Sequence, residues 1–137
     1  MRNKNSIVFL INIFFLCACS APVENPSESY EIVRQRKDGT ASVNMTVFVK
    51  TPSAETVKKI NDYLVNLSRN NYHYVNIDYF DDKLVAEIYF EKQSDPNISE
   101  EEKDRLFKHY IASMVLNKTT NFKQFFDIQK KEIIANY

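Results

Sequence analysis

The chain has 137 residues, with 18 basic side chains balanced by 18 acidic ones, a single glycine and no tryptophan. That length holds one domain. The charge balance leaves no electrostatic footprint for nucleic acid, and one glycine excludes the glycine-rich phosphate loops of nucleotide-binding folds.

Arg2 and Lys4 precede an apolar run from Ile7 to Leu16, broken only by Asn12. About ten residues make roughly 15 Å of helix, too short for a bilayer core of roughly 30 Å. A cationic start, a short apolar run and small residues after it form a secretory signal peptide. Leu16-Cys17-Ala18-Cys19 then resembles the lipobox of bacterial lipoproteins: Leu, a variable residue, a small residue and the cysteine that is lipidated. The resemblance implies cleavage after residue 18, a diacylglycerol with an N-acyl chain such as palmitate on Cys19, and a membrane lipid as the first partner. Two or more acyl chains hold a protein firmly at a bilayer. Ser20 stands where inner-membrane retention signals place Asp, so the resemblance favours the outer membrane, facing the periplasm. The competing reading is a plain signal peptide with incidental cysteines. Cleavage leaves 119 residues carrying 16 basic and 18 acidic groups, and no cysteine free for a disulfide.

Residues 20–29 (Ser-Ala-Pro-Val-Glu-Asn-Pro-Ser-Glu-Ser) are a flexible tether: two prolines, small side chains and no apolar periodicity. Residues 30–137 make a single domain. Tyr30–Lys37 and Thr40–Lys50 flank Asp38-Gly39, a hairpin signal because both turn positions require positive φ. The two-residue turn sets Ile32 opposite Met45 and Tyr30 opposite Val47, with Val43, Met45, Val47 and Val49 on one face. Thr51-Pro52 opens a helix whose apolar positions are Val57, Ile60, Leu64 and Leu67, ending at Arg69-Asn70-Asn71.

Tyr72–Phe80 and Lys83–Glu91 read as a second hairpin about Asp81-Asp82. Ser99-x-x-Glu102 is a capping box opening a second helix with Leu106, Phe107, Tyr110, Ile111 and Met114 buried, expected to stop near Asn117. Phe122, Phe125, Phe126, Ile128, Ile133 and Ile134 in the tail suggest a helix over strand. The resulting expectation is an α+β fold, β-β-α-β-β-α plus tail: a two-layer sandwich of a four-stranded, largely antiparallel sheet with two helices on one face.

Tyr30-Glu31-Ile32-Val33, the Thr51-Pro52 helix start and Tyr74-Val75-Asn76-Ile77-Asp78-Tyr79-Phe80 resemble an uncharacterised family of small bacterial domains with a strand–helix–hairpin core over residues 30–91. That family has Gly and Trp-Ala-Thr near its last strand, where this chain has Val85-Ala86-Glu87. The resemblance implies a fold and no activity.

The sequence offers no catalytic set and no cofactor site. His73 and His109 lie on different elements without zinc-ligand spacing. Asp78, Asp81 and Asp82 could gather calcium, but Asp is an ordinary turn residue. The surface worth a hypothesis is the second sheet face, where Phe48, Tyr72, Tyr74, Phe80 and Tyr89 would stand among Asn76, Asp78 and Glu87; aromatics with a polar rim anchor interfaces. The bland alternative is that the tail covers them. The functional expectation is a membrane-tethered, non-enzymatic protein-interaction or inhibitory module binding a protein or envelope partner, against the alternative of a small-ligand binder or enzyme with a site between helix and sheet.

Overall fold

The computed structural model describes residues 25–136; the leader, Cys19 and the first part of the tether lie outside the described residues. Chain order is β1 (Tyr30–Asp38), β2 (Ser42–Val49), α1 (Ala54–Ser68), β3 (Tyr74–Phe80), α2 (Lys83–Gln93), α3 (Glu100–Lys108), β4 (Tyr110–Asn117), β5 (Phe122–Asp127) and β6 (Glu132–Asn136). The six strands form one sheet in sequence order. β2 and β3 are parallel, joined through α1, and every other pairing is antiparallel.

Two cores sit on opposite faces of this sheet. Val43, Met45, Val47 and Val49 of β2, Val75, Ile77 and Tyr79 of β3, and Ala112, Met114 and Leu116 of β4 pack against Val57, Ile60, Leu64 and Val65 of α1. On the reverse side Phe80 meets Val85 and Ala86 of α2 and Leu106 of α3. Tyr79 and Phe80 are adjacent, fully buried and on opposite faces, as strand alternation dictates. No helix of the described residues is long and apolar enough to cross a membrane.

The expected two-layer, four-stranded arrangement is therefore corrected to a six-stranded mixed sheet with helices on both faces, still composed of α and β elements. Three segments account for the difference. Lys83–Gln93 is a helix and not a hairpin strand: the Asp82 side chain accepts the Val85 N–H at 3.0 Å, and Lys, Leu, Ala, Glu and Gln are good helix formers. Asp81-Asp82 has no glycine to supply the positive φ of a tight hairpin. The helix beginning at the Ser99 cap stops at Lys108, with His109 as its C-cap. Beyond it Ala112, Met114 and Leu116 are buried at every second residue, a strand period carried on β-branched Ile111 and Val115. The tail, expected to be helical, is the β5–β6 hairpin. The turns flanking β5 use Asn121 and Lys131 at positive φ, and the Asn117 side chain accepts the N–H groups of Thr119 and Thr120.

Two smaller corrections concern caps and register. Ser53, not Thr51, caps α1, accepting the Thr56 N–H at 3.0 Å, and Leu67 is exposed while Asn61 and Val65 turn inward. The first hairpin closes over three residues, Gly39–Ala41, with Gly39 at φ +50°. With a further one-residue shift between Ile32 and Arg34, Tyr30 pairs with Val49 and Ile32 with Val47, not with Val47 and Met45.

Candidate functional site: a basic cleft between the second helix and the sheet edge

The register of β1 on β2 shifts between Ile32 and Arg34, where Val33 is the extra residue of a β-bulge. Tyr30, Ile32, Arg34 and Arg36 are evenly spaced, so an unbroken strand would put all four on one face. The bulge divides them. Tyr30 packs on the α1 core, whereas Arg34 pairs with Thr46 and Arg36 with Asn44, on the face that α2 covers. Bulges commonly re-aim side chains in this way beside functional sites.

The result is a cleft of about 450 Å³ lined by Arg34, Arg36, Lys37, Asp38, Ser42, Asn44, Thr46 and Phe90. Phe90 of α2 forms one lip, and the Arg34 guanidinium carbon lies 5.4 Å from its ring centroid, within cation–π range. Arg34 also approaches Glu91 at 3.7 Å, but that carboxylate is 76% exposed, so the pair is loose and solvent-screened. Among the described residues Arg36 and Lys37 have no ion-pair partner. Thr46 is fully buried in the cleft floor, and its hydroxyl has no hydrogen-bond partner. A buried polar group left in that state costs about 1–3 kcal/mol.

One strand inward, Asp78 is the register partner of Thr46. Its Oδ1 accepts hydrogen bonds from the Tyr110 hydroxyl and from Ser113 Oγ at 3.0 Å, and its Oδ2 accepts one from Asn76 Nδ2 at 2.9 Å. Burial raises the Asp78 pKa above the ordinary carboxylate value, and those three hydrogen bonds pull it back only in part. Burial, followed by the nearby Asp78 charge, drives the Tyr110 hydroxyl pKa far upward, and the same two causes raise Tyr89. The network ties β3 to β4 through side chains beside the cleft floor.

This chain matches no protein-family model, no curated protein and no solved structure.

The five aromatic residues expected on an open sheet face do not lie together there. Phe80 is fully buried. Tyr89 belongs to α2, not to a strand, and packs 4.8 Å from Phe80 and 5.2 Å from Tyr110 between ring centroids. Phe48 packs against the same α2–α3 core. Tyr72 joins the α1 core on the opposite side, and Tyr74 begins β3, beside Ser42 and Asn117 in the register. What covers Phe48 and Phe80 is α2 with α3, not the C-terminal tail. Asp78, Asp81 and Asp82 also serve three separate ends: the buried network, a 2.8 Å pair with His109 Nδ1, and the cap of α2. Cys19 lies outside the described residues.

Sequence reasoning missed Arg34, Arg36, Lys37, Asn44 and Thr46. The sequence does carry the basic cluster Arg34-Gln35-Arg36-Lys37. Its convergence with Thr46 depends on the bulge and on α2 being a helix, and neither has a strong local signature.

Proposed function

We propose that this protein is a lipid-anchored envelope protein whose domain is a non-enzymatic recognition module, with the cleft between α2 and β1–β2 as its binding site. The lipobox-like Leu16-Cys17-Ala18-Cys19 supports an acylated Cys19 as the anchor, at the outer membrane and facing the periplasm. The observation that carries the binding site is the convergence of Arg34 and Arg36 above the unpartnered Thr46 hydroxyl, with Lys37 bordering the cleft. These groups donate hydrogen bonds and hold positive charge. They suit capture of a ligand or partner group between helix and sheet, and no histidine or cysteine stands among them. The segment before β1 is held against the sheet: Ser29 N–H donates to the Pro26 carbonyl at 2.8 Å, and Lys50 N–H to the Ser29 carbonyl at 3.0 Å. The tether thus feeds into the end of β1 opposite the hairpin, and the cleft lies toward the hairpin end.

Two measurements test this reading. Cells grown on labelled palmitate should label the wild-type protein and hold it in the membrane pellet, and Cys19→Ala should abolish both; a labelled, pelleted Cys19→Ala protein refutes the anchor. Crosslinking in intact cells should trap an envelope component on the wild type that an Arg34→Glu/Arg36→Glu variant, equally folded by circular dichroism, does not trap. Equal trapping by the two proteins refutes the cleft.

A further inference from the structure

We infer that the cleft recognises a phosphate group, as a doubly charged phosphate monoester; this rests on the recognition reading above and names its ligand chemistry. The two guanidinium groups on the cleft face outweigh the single Asp38 carboxylate, Lys37 borders the cleft, and the Glu91 carboxylate 3.7 Å from Arg34 is 76% exposed and screened. A phosphate monoester, whose second pKa is about 6, carries a charge between about −1.5 and −2 at neutral pH and offers three acceptor oxygens. A carboxylate brings half that charge and two oxygens.

The geometry matches the group as well as the charge does. Arg34 and Arg36 are two residues apart on one strand face, about 6.6 Å along the strand, so one tetrahedral oxyanion fits between their planar forks. Their register partners supply the floor: Thr46 opposite Arg34 offers a hydroxyl, and Asn44 opposite Arg36 offers an amide. The Thr46 hydroxyl is fully buried and without a partner, and a phosphate oxygen is the acceptor that would satisfy it. No glycine-rich loop is needed, because side chains replace the backbone N–H groups of such loops. The cleft volume of about 450 Å³ falls within the range of small-molecule sites, about 300–1,000 Å³, so the phosphate comes attached to a larger body. That body is either a soluble phosphorylated molecule or a lipid whose headgroup is a phosphate monoester.

The test uses the mature lipidated protein in neutral detergent, with phenyl phosphate as probe and benzoate as its carboxylate counterpart, followed by calorimetry. Phenyl phosphate should bind at least about tenfold more tightly than benzoate. Arg34→Gln and Arg36→Gln should each weaken it by about tenfold or more, the loss expected for one charge-assisted contact. Thr46→Val, nearly isosteric, should weaken it severalfold while leaving the circular dichroism spectrum unchanged; should that variant unfold, Asn44→Ala reads the other side of the floor.

The second arm reconstitutes the protein into phosphatidylcholine vesicles containing either phosphatidic acid or an equal charge of oleate. Weaker phenyl phosphate binding in phosphatidic acid than in oleate assigns the site to a headgroup. Equal binding in the two assigns it to a soluble phosphate. Equal affinity for phenyl phosphate and benzoate, or indifference to both arginine substitutions, overturns the inference. If partner trapping in cells still depends on Arg34 and Arg36 in that event, the recognition reading stands and only the phosphate is lost.

Discussion

At the scale of single residues, Asp78 is a buried carboxylate whose chemistry departs from solution behaviour. Its folded pKa lies above the unfolded value because burial disfavours the charge. The native state thus holds a proton that the unfolded chain has already released. The stability this contributes is full below the unfolded pKa and is lost as pH rises through the folded pKa. Asp78→Asn should therefore flatten the pH dependence of stability across that acidic window, as read from urea midpoints collected at a series of pH values; an unchanged slope would show that Asp78 titrates as a solvated carboxylate. Tyr110→Phe removes the donor to Oδ1. Loss of a hydrogen bond to a charged partner costs about 1.5–3 kcal/mol, and the Asp78 pKa should climb further, extending the slope to higher pH. The aromatic face makes the same point about neighbours. Tyr89 packs on Phe80 and Tyr110, so Tyr89→Ser would report on packing more than on partner contact.

At the scale of elements, the sequence was legible where one signal dominated and opaque where two competed. Val43, Met45, Val47 and Val49 alternate with Asn44, Thr46 and Phe48 and are all buried. Val57, Ile60 and Leu64 keep a helical period, and Ser99 caps its helix through the Glu102 N–H at 3.2 Å. Residues 83–91 satisfy both periods: Leu84, Ala86, Ile88 and Phe90 alternate, while Val85, Ala86 and Tyr89 lie on one helical stripe. The Asp82 cap and the need to cover Phe80 decide the contest. Tyr110, Ile111 and Met114 were equally double-edged, and there the sheet won, because Met114 pairs with Ile77 on one side and Phe125 on the other. The basic cleft could not be read at all, since the bulge at Val33 reverses the face of every residue beyond it.

The cap on α2 gives this scale its test. Asp82→Ala should cost about 1 kcal/mol, the usual value of an N-cap, and Asp82→Ser should recover most of it. The loss should also weaken any cleft ligand, since Phe90 rides on α2. A stability loss with Phe90 still in place, judged by unchanged ligand affinity, would detach the cleft from the helix.

At the scale of the whole molecule, both helical layers lean on the same two strands. β2 and β3 are neighbouring interior strands of the sheet, carry the α1 core on one face, and present Phe48 and Phe80 to α2 and α3 on the other. The buried Tyr79 hydroxyl donates to Asn61 of α1 at 3.0 Å, and its ring meets Phe125 of β5 edge-on at 5.9 Å. β3 is thus fastened to α1 and β5 on one side and to α2 on the other within two consecutive residues. A structure tied in this way should unfold as one unit, although its layers occupy opposite faces. The eight tyrosines, with no tryptophan to obscure them, provide a fluorescence probe that is independent of far-UV circular dichroism. Ile60→Ala, in the α1 layer, should cost about 2–5 kcal/mol, and Phe80→Ala, in the α2 layer, about 3–5 kcal/mol. Each should shift a single urea transition, with the two probes coincident in both variants. Separation of the probes in Phe80→Ala alone would show that α2 and α3 detach before the sheet does, and that the cleft sits on a layer able to open while the domain stays folded.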